Sequence, residues 1–225
     1  MKGWGGEELL KSYDAERRPV SLNNLKMVEK GTYEVVLPMM GAAAMIGADL
    51  LSADTDAGTS ARTILQEQID KGHWLHNQYG TSMGFRYNPP IIIRDQEVPE
   101  PGYKITKYVP STWPGARAPY VFLAESEISI FDLFGPEFNI VDFTPGAQFG
   151  EQILSTAKIL GIPMTKIHLP NEKHVRDIWE RDVVLVRPDG HVAWRLPLSS
   201  PRLSTDQIAD VLEQVSGRKV DPRWS

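Results

Sequence analysis

The 225-residue sequence contains no cysteine. That absence excludes disulfides, thiolate nucleophiles, iron–sulfur clusters and cysteine-ligated zinc. Basic charge is scarce as well: 24 Lys and Arg stand against 29 Asp and Glu, a formal net charge of -5. No basic stripe is available to neutralise phosphates, so no nucleic-acid partner is expected. Long apolar runs are missing too. The most apolar stretch, Val35 to Leu51, is interrupted by Pro38, Gly41 and Gly47 and carries Asp49, so it is too short and too broken to span a bilayer. The start, Met1-Lys2-Gly3-Trp4-Gly5-Gly6-Glu7-Glu8, lacks the apolar core of a secretory leader. A soluble, cytoplasmic protein without a membrane partner is expected. What remains is globular composition, 41% hydrophobic and 24% charged. The length suits one large or two small domains with a core that needs no staples.

The chain reads as two parts. Glu7, Glu8, Leu9, Leu10, Tyr13 and Ala15 favour a helix, with acid in its first turn and Arg17-Arg18 further on, the charge order a helix dipole prefers. Pro19 predicts a kink or a fresh start and Gly31 a stop. Residues 38–58, rich in Gly, Ala and Met, permit close packing against a partner surface. Thr59-Ser60 would cap a second helix, with Ala61, Ile64, Leu65 and Ile69 at helical spacing, running to about Tyr79. Met83–Tyr87 and Ile91–Arg94 read as strands split by Asn88-Pro89-Pro90. A connector follows, punctuated by Pro99, Pro101, Gly102, Pro110, Pro114 and Gly115. Beyond it the pattern alternates. Strands are expected at Tyr120–Leu123, Phe138–Phe143, Thr165–Leu169, Val183–Val186 and Val192–Trp194. A short apolar turn or helix is expected at Ile128–Phe134, and helices at Gln148–Leu160, His174–Trp179 and Thr205–Val215. Arg187-Pro188-Asp189-Gly190 supplies a hairpin turn and Ser204 a cap. The order predicts a small α/β sandwich.

Candidate sites are weak when judged on residue chemistry. Gly3-x-Gly5-Gly6 opens a helix, but no strand precedes it and the dinucleotide pattern is incomplete, so it reads as a turn. Asp54-Thr55-Asp56 resembles the start of a calcium loop, yet Thr59 and Leu65 occupy the places of the required Gly and Glu. His73 and His76 could share a helix face, but zinc needs two further ligands, and a polar helix edge with Trp74 and Leu75 packing inward is the simpler reading. His168, His174 and His191 are scattered, and no G-x-S-x-G elbow is present. Arg62, Arg86 and Arg94 read as solvated arginines. Trp179-Glu180-Arg181-Asp182 reads as a core Trp followed by charges marking a strand edge. No catalytic, cofactor-binding or metal-binding residue is assigned.

Several segments together resemble a known family. Leu9-Leu10-Lys11-Ser12-Tyr13-Asp14-Ala15-Glu16-Arg17-Arg18-Pro19-Val20 is similar to the "LLxSYxxERRPV" run of FAD-dependent aromatic hydroxylases, the phenol hydroxylase-like class A flavoprotein monooxygenases. Met83-Gly84-Phe85-Arg86-Tyr87 resembles their "LGxRY" strand. Pro110-Ser111-Thr112-Trp113-Pro114-Gly115-Ala116-Arg117-Ala118-Pro119 resembles their "PSTxPGxRAPH" connector, with Tyr120 in place of the usual His. Ile130–Gly135 and Arg181–Arg195 resemble their thioredoxin-like C-terminal domain. The matches run in order over nearly the whole chain.

The resemblance implies the C-terminal portion of such a monooxygenase. Its fold would be α/β: N-terminal helices plus a partial sheet (1–95, the end of the FAD and substrate region), a Pro-rich connector (96–118), and a thioredoxin-like domain (119–225). It implies chemistry in which reduced FAD, supplied with electrons by NAD(P)H, reacts with O₂ and hydroxylates an aromatic substrate, in secondary metabolism or aromatic degradation. The family's G-x-G-x-x-G, Asp-Gly and Gly-Asp flavin motifs have no counterparts. The sequence has no Gly-Asp dipeptide, and its one Asp-Gly is the Asp189-Gly190 turn. Where working thioredoxins place Cys-x-x-Cys stands Phe143-Thr144-Pro145-Gly146-Ala147-Gln148-Phe149, and Asp182 stands where they place a cis-proline. A truncated family member is therefore expected, one that does not hold FAD tightly alone and works with a flavin-domain polypeptide. The alternatives are a non-catalytic assembly or dimerisation module, or a decayed remnant. In either working case the N-terminal helices should expose apolar surface or cover it by self-association.

Overall fold

A computed structural model describes residues 3–88, 90–124, 126–198 and 203–219. The chain divides into two compact units. One comprises residues up to Arg18 together with 84–102 and 109 onward; the other comprises 19–83 and 103–108.

Helix α1 (Glu7–Gly31) runs through Pro19 without ending. Proline removes one backbone donor and displaces the carbonyl four residues earlier. That carbonyl belongs to Ala15, which is exposed, so water can satisfy it and the helix survives. Gly31 does not stop the helix either. The chain continues through a π-helical turn, Thr32–Val36, into α2 (Leu37–Ile46). It breaks at Gly47, φ +79°, where a short α3 (Ala48–Ser52) starts.

Helix α4 (Asp56–Lys71) starts earlier than the sequence suggests, because Thr55 caps it by accepting from the Gly58 amide at 3.1 Å. It ends at Gly72 rather than near Tyr79. A Cβ there would strike Val35, 2.3 Å away, so only glycine fits, and the chain restarts as α5 (His73–His76) and α6 (Tyr79–Met83).

The expected N-terminal partial sheet does not form among the described residues. Met83 closes α6, and Arg86 makes only an isolated bridge to Ala116. Ile91 and Ile92 are fully buried but unladdered, and Ile93 donates a single bond to the Ala193 carbonyl at 2.9 Å. Of the Asn88-Pro89-Pro90 split, Pro89 lies outside the described residues; Pro90 has no amide to add to a ladder. Tyr120–Leu123 is likewise no strand, with one bridge from Phe122 to Ser129.

The C-terminal alternation appears as expected. A 3₁₀ turn, Ile130–Leu133, carries a capping box between Ser129 and Asp132. Then come β1 (Phe138–Asp142), α7 (Gln148–Ile159), β2 (Met164–His168), α8 (Lys173–Trp179), β3 (Val183–Val186), β4 (Val192–Arg195) and α9 (Thr205–Val215). The sheet order is β2-β1-β3-β4. β1 and β2 are parallel; β1 with β3 and β3 with β4 are antiparallel. β1, β3 and β4 are buried along their whole length, which continuous apolar runs such as Val183–Val186 predict. On one face the core joins Phe138, Ile153, Leu185 and Trp194 with Ile208 and Leu212 of α9; on the other, Val141, Ile167, Val175, Trp179 and Val184 join Ile130. This is the thioredoxin-like arrangement of strands and helices.

Candidate functional site

Two buried polar clusters and one strand-to-helix loop hold the chemistry-bearing residues of the first unit. The first cluster forms where α1 meets the β3–β4 hairpin. Glu16, 2% exposed, accepts two bonds from the Arg187 guanidinium at 2.7 and 2.9 Å. Arg187 also donates to Asp189 at 2.9 Å, and Asp189 accepts from the His191 amide at 3.2 Å. The His191 ring stacks on Tyr87 at 4.2 Å, and the Arg17 guanidinium lies 4.9 Å from the Tyr87 ring centre. Burial acts against ionised Asp189, but the His191 hydrogen bond and the Arg187 charge outweigh it and hold the carboxyl well below its usual range. Burial also acts against charged Arg187, and Glu16 more than compensates. Burial pushes the Tyr87 phenol up. The Tyr87 hydroxyl and His191 Nε2 are buried without a hydrogen-bond partner among the described residues.

The second cluster joins the 90s segment to β4. Asp95 accepts from Arg181 at 2.7 Å and Arg195 at 2.8 Å. Arg195 reaches Glu180 at 2.8 Å, and Glu180 also accepts from Ser111 at 2.9 Å. The Arg195 guanidinium lies 5.2 Å from the centre of the Trp113 ring. Glu180 and Arg181 are therefore not edge charges. Glu180, at φ +66°, turns the chain so that both reach this network. Burial opposes the ionised Asp95, but the Glu97 amide and the two arginines depress its pKa. Asp95 is held by two guanidinium groups, and Glu180 by Arg195 and the Ser111 hydroxyl, so neither is poised as a general base.

The loop after β1 replaces a redox site with a hydrogen-bonded cap. Asp142, fully buried, accepts from the Thr144 amide at 2.8 Å and hydroxyl at 2.6 Å, and from the Gly150 amide in α7 at 2.7 Å. His168 bonds the Thr144 carbonyl rather than its hydroxyl, at 2.8 Å, so no nucleophile–base pair arises.

The remaining candidates disperse. Gly6 sits against the turn after α9; a Cβ there would meet the Gly217 carbonyl at 2.1 Å. Arg62 is not simply solvated, since it caps α3 through the Leu51 and Ala53 carbonyls at 2.9 Å. Arg86 is engaged with Glu100 at 3.1 Å and the Pro101 carbonyl at 2.6 Å, and Arg94 with Asn88 at 3.0 Å. His73 and His76 are exposed on α5, and Thr55 of the Asp54–Asp56 triplet serves as a helix cap. His174 bonds the Phe122 carbonyl at 2.8 Å. Sequence reasoning missed Glu16, Asp95 and Arg187. Glu16 and Arg187 each sit in a family-like motif, while Asp95 only follows the apolar run from Ile91, and which segment meets which is a tertiary fact.

The described residues do not fit a flavin dinucleotide. A pyrophosphate would need free amides at a helix start after a strand. Of the strand–loop–helix passages among the described residues, β1 to α7 already holds the Asp142 carboxylate there and β2 to α8 opens on the acidic Glu172, while the Gly3–Gly6 turn is packed against the Ser216 and Gly217 carbonyls.

Residues 111–219 match the family of aromatic-ring hydroxylase C-terminal domains. The FAD-dependent monooxygenase apdD of Emericella nidulans is 32% identical over 96% of this chain and 35% of its own length. The 2,4-dichlorophenol 6-monooxygenase of Delftia acidovorans is 27% identical over 87% of this chain and 37% of its own. Among solved structures, the rebeccamycin biosynthetic enzyme RebC with reduced flavin superposes with a TM-score of 0.76 at 27% identity, over 96% of this chain and 38% of that one. The chain thus spans a little over a third of the length of these relatives. Residues 111–219 therefore carry an aromatic-ring hydroxylase C-terminal domain, in a chain similar over nearly its whole length to part of the FAD-dependent monooxygenases.

Proposed function

We propose that this chain is the scaffold part of an FAD- and NAD(P)H-dependent monooxygenase that hydroxylates an aromatic substrate, working with a flavin-binding polypeptide. The observation that carries the reading is similarity along 96% of the chain to an FAD-dependent monooxygenase, combined with a helix start already filled by Asp142. On this reading residues 1–95 derive from the FAD and substrate region, 96–118 form the connector and 119–225 the thioredoxin-like domain. The oxidative chemistry belongs to the flavin; this chain's residues hold helices and hairpin in place through Glu16–Arg187 and Asp95–Arg195. The test is direct. Purified alone, the chain should lack flavin absorbance. Mixed with FAD, NADPH, a flavin-binding partner and a phenolic substrate, it should raise hydroxylated product above the partner alone. Equal product with and without the chain would refute the proposal.

A further inference from the structure

Asp189-Gly190, the sequence's one Asp-Gly pair, turns the β3–β4 hairpin and carries a reactivity that its setting suppresses. No Cβ hinders a glycine, so its amide is the least shielded nitrogen that can follow an aspartate. Closing a ring on the preceding side chain needs a protonated carboxyl, a free Gly190 amide and rotation about the Asp189 backbone. Each is withheld. Burial opposes ionised Asp189, yet the His191 hydrogen bond and the Arg187 charge keep it ionised. The Gly190 amide is committed to the Arg187 carbonyl at 3.0 Å, and the Gly190 carbonyl accepts from the Ala118 amide at 2.9 Å. The turn is tied beneath by the Arg187 amide on the His191 carbonyl at 2.8 Å. Helix α1 supplies the rest of the restraint. Glu16 fixes the Arg187 guanidinium, which donates to Asp189 Oδ2, and Arg17 stands 3.8 Å from that same oxygen. The Asp189 side chain still keeps 26% of its surface exposed, so water reaches it.

We propose that Asp189-Gly190 is a site of self-modification, an isoaspartate-forming bond that docked α1 holds inert and undocked α1 releases. In the released hairpin the Gly190 nitrogen attacks Asp189 Cγ. An N–Cγ bond forms, the Cγ–O bond breaks, and the hydroxyl leaves with the amide proton as water. Water then opens the resulting succinimide. Cleavage at the original main-chain carbonyl leaves the chain running through Cγ, and water is the sole co-reactant. The new carboxylate sits directly on Cα, and the turn has gained a backbone atom. It no longer presents an oxygen to Arg187 and Arg17 while Arg187 pairs with His191 across the turn. The seat of α1 is then altered, and the release is one-way.

The experiment compares the intact chain with a synthetic peptide of its Val183–Arg195 sequence, both held at neutral pH and body temperature. Isoaspartate at position 189 is counted by mass spectrometry with electron-transfer fragmentation, which separates isomers of equal mass. The peptide should form it at least about tenfold faster than the intact chain, where opening must come first. Glu16→Gln, with circular dichroism unchanged, should raise the intact-chain rate roughly threefold or more, because weaker docking enlarges the open fraction. Lys26→Ala, at an exposed position of α1, should match wild type. A second measurement needs no variant: the wild-type rate should rise with urea below the unfolding midpoint, as α1 undocks. An intact chain that isomerises as fast as the peptide overturns the proposal. So does a folded Glu16→Gln chain at the wild-type rate, or a wild-type rate that stays flat in urea below the midpoint.

Discussion

Glu16 and Arg187 lie 171 residues apart and share two charge-assisted bonds in a nearly dry setting. Glu16→Ala removes two charge-assisted bonds but leaves Arg187 paired with Asp189, so it should cost about 1.5–3 kcal/mol in urea unfolding. Arg187→Met strands both Glu16 and Asp189 and should cost about 3–5 kcal/mol, more than Glu16→Ala; an equal loss would show that Asp189 does not depend on Arg187. Acid should expose the same chemistry. Asp189 and Asp95 both have depressed folded-state pKa values, against about 3.9 in an unfolded chain. The unfolded chain then binds protons first as pH falls, so their contribution is complete above about pH 5 and declines below it. Unfolding free energy measured from pH 7 to pH 3 should fall over that lower range. Asp189→Asn should flatten the decline, and an unchanged acid slope would show that Asp189 does not couple to folding.

Elements were legible wherever one local rule governed them. Val183–Val186 and Thr205–Val215 form where expected, the first because a run of apolar β-formers has no solvent face, the second because Ser204 and Gln207 complete a capping box on an amphipathic stretch. Pro19 and Gly31 misled because local punctuation was overridden: an exposed carbonyl tolerates the proline, and Gly31 sits close against Leu75. The segment around Arg86 and Ile93 looks like strand by composition, yet its amides reach only single partners. The site was less legible still, because Glu16 and Arg187 become a pair only through the fold. Gly115 illustrates how tightly the connector is held. At φ +94° its amide donates to Val192 and its carbonyl accepts from Tyr87, and a Cβ would stand 2.2 Å from the Tyr87 carbonyl. Gly115→Ala should therefore cost about 2–3 kcal/mol or more, read as a lowered midpoint in thermal unfolding; a change within 0.5 kcal/mol, about what an unremarkable surface site gives, would show that the backbone can relax there.

At the scale of the molecule, the matched family domain draws core and charge contacts from outside its own bounds. Trp4 packs edge-on against Phe138 at 5.4 Å, the Gly6 amide bonds the Ser216 carbonyl at 2.9 Å, and Arg218 bonds the Trp4 carbonyl at 2.8 Å. Asp95 neutralises two arginines of the domain from outside residues 111–219. Residues 111–219 produced alone should therefore unfold without a cooperative transition and bind a dye that reports exposed apolar surface. Adding back 3–18 and 84–102, as in the intact chain, should restore a sharp transition. A sharp transition from the isolated domain would show that the outer segments are dispensable.

The bond between Glu16 and Arg187 also sets a timetable. A ribosome adding about 5–20 residues per second delivers Arg187 roughly ten to thirty seconds after Glu16, the interval being 171 residues. Throughout that interval α1 has no hairpin to dock on, and the Glu16 carboxylate that the fold later buries stays in water. The unit can close only once α9 has emerged, so for that interval Glu16 and Arg187 stay unjoined and within reach of chaperones.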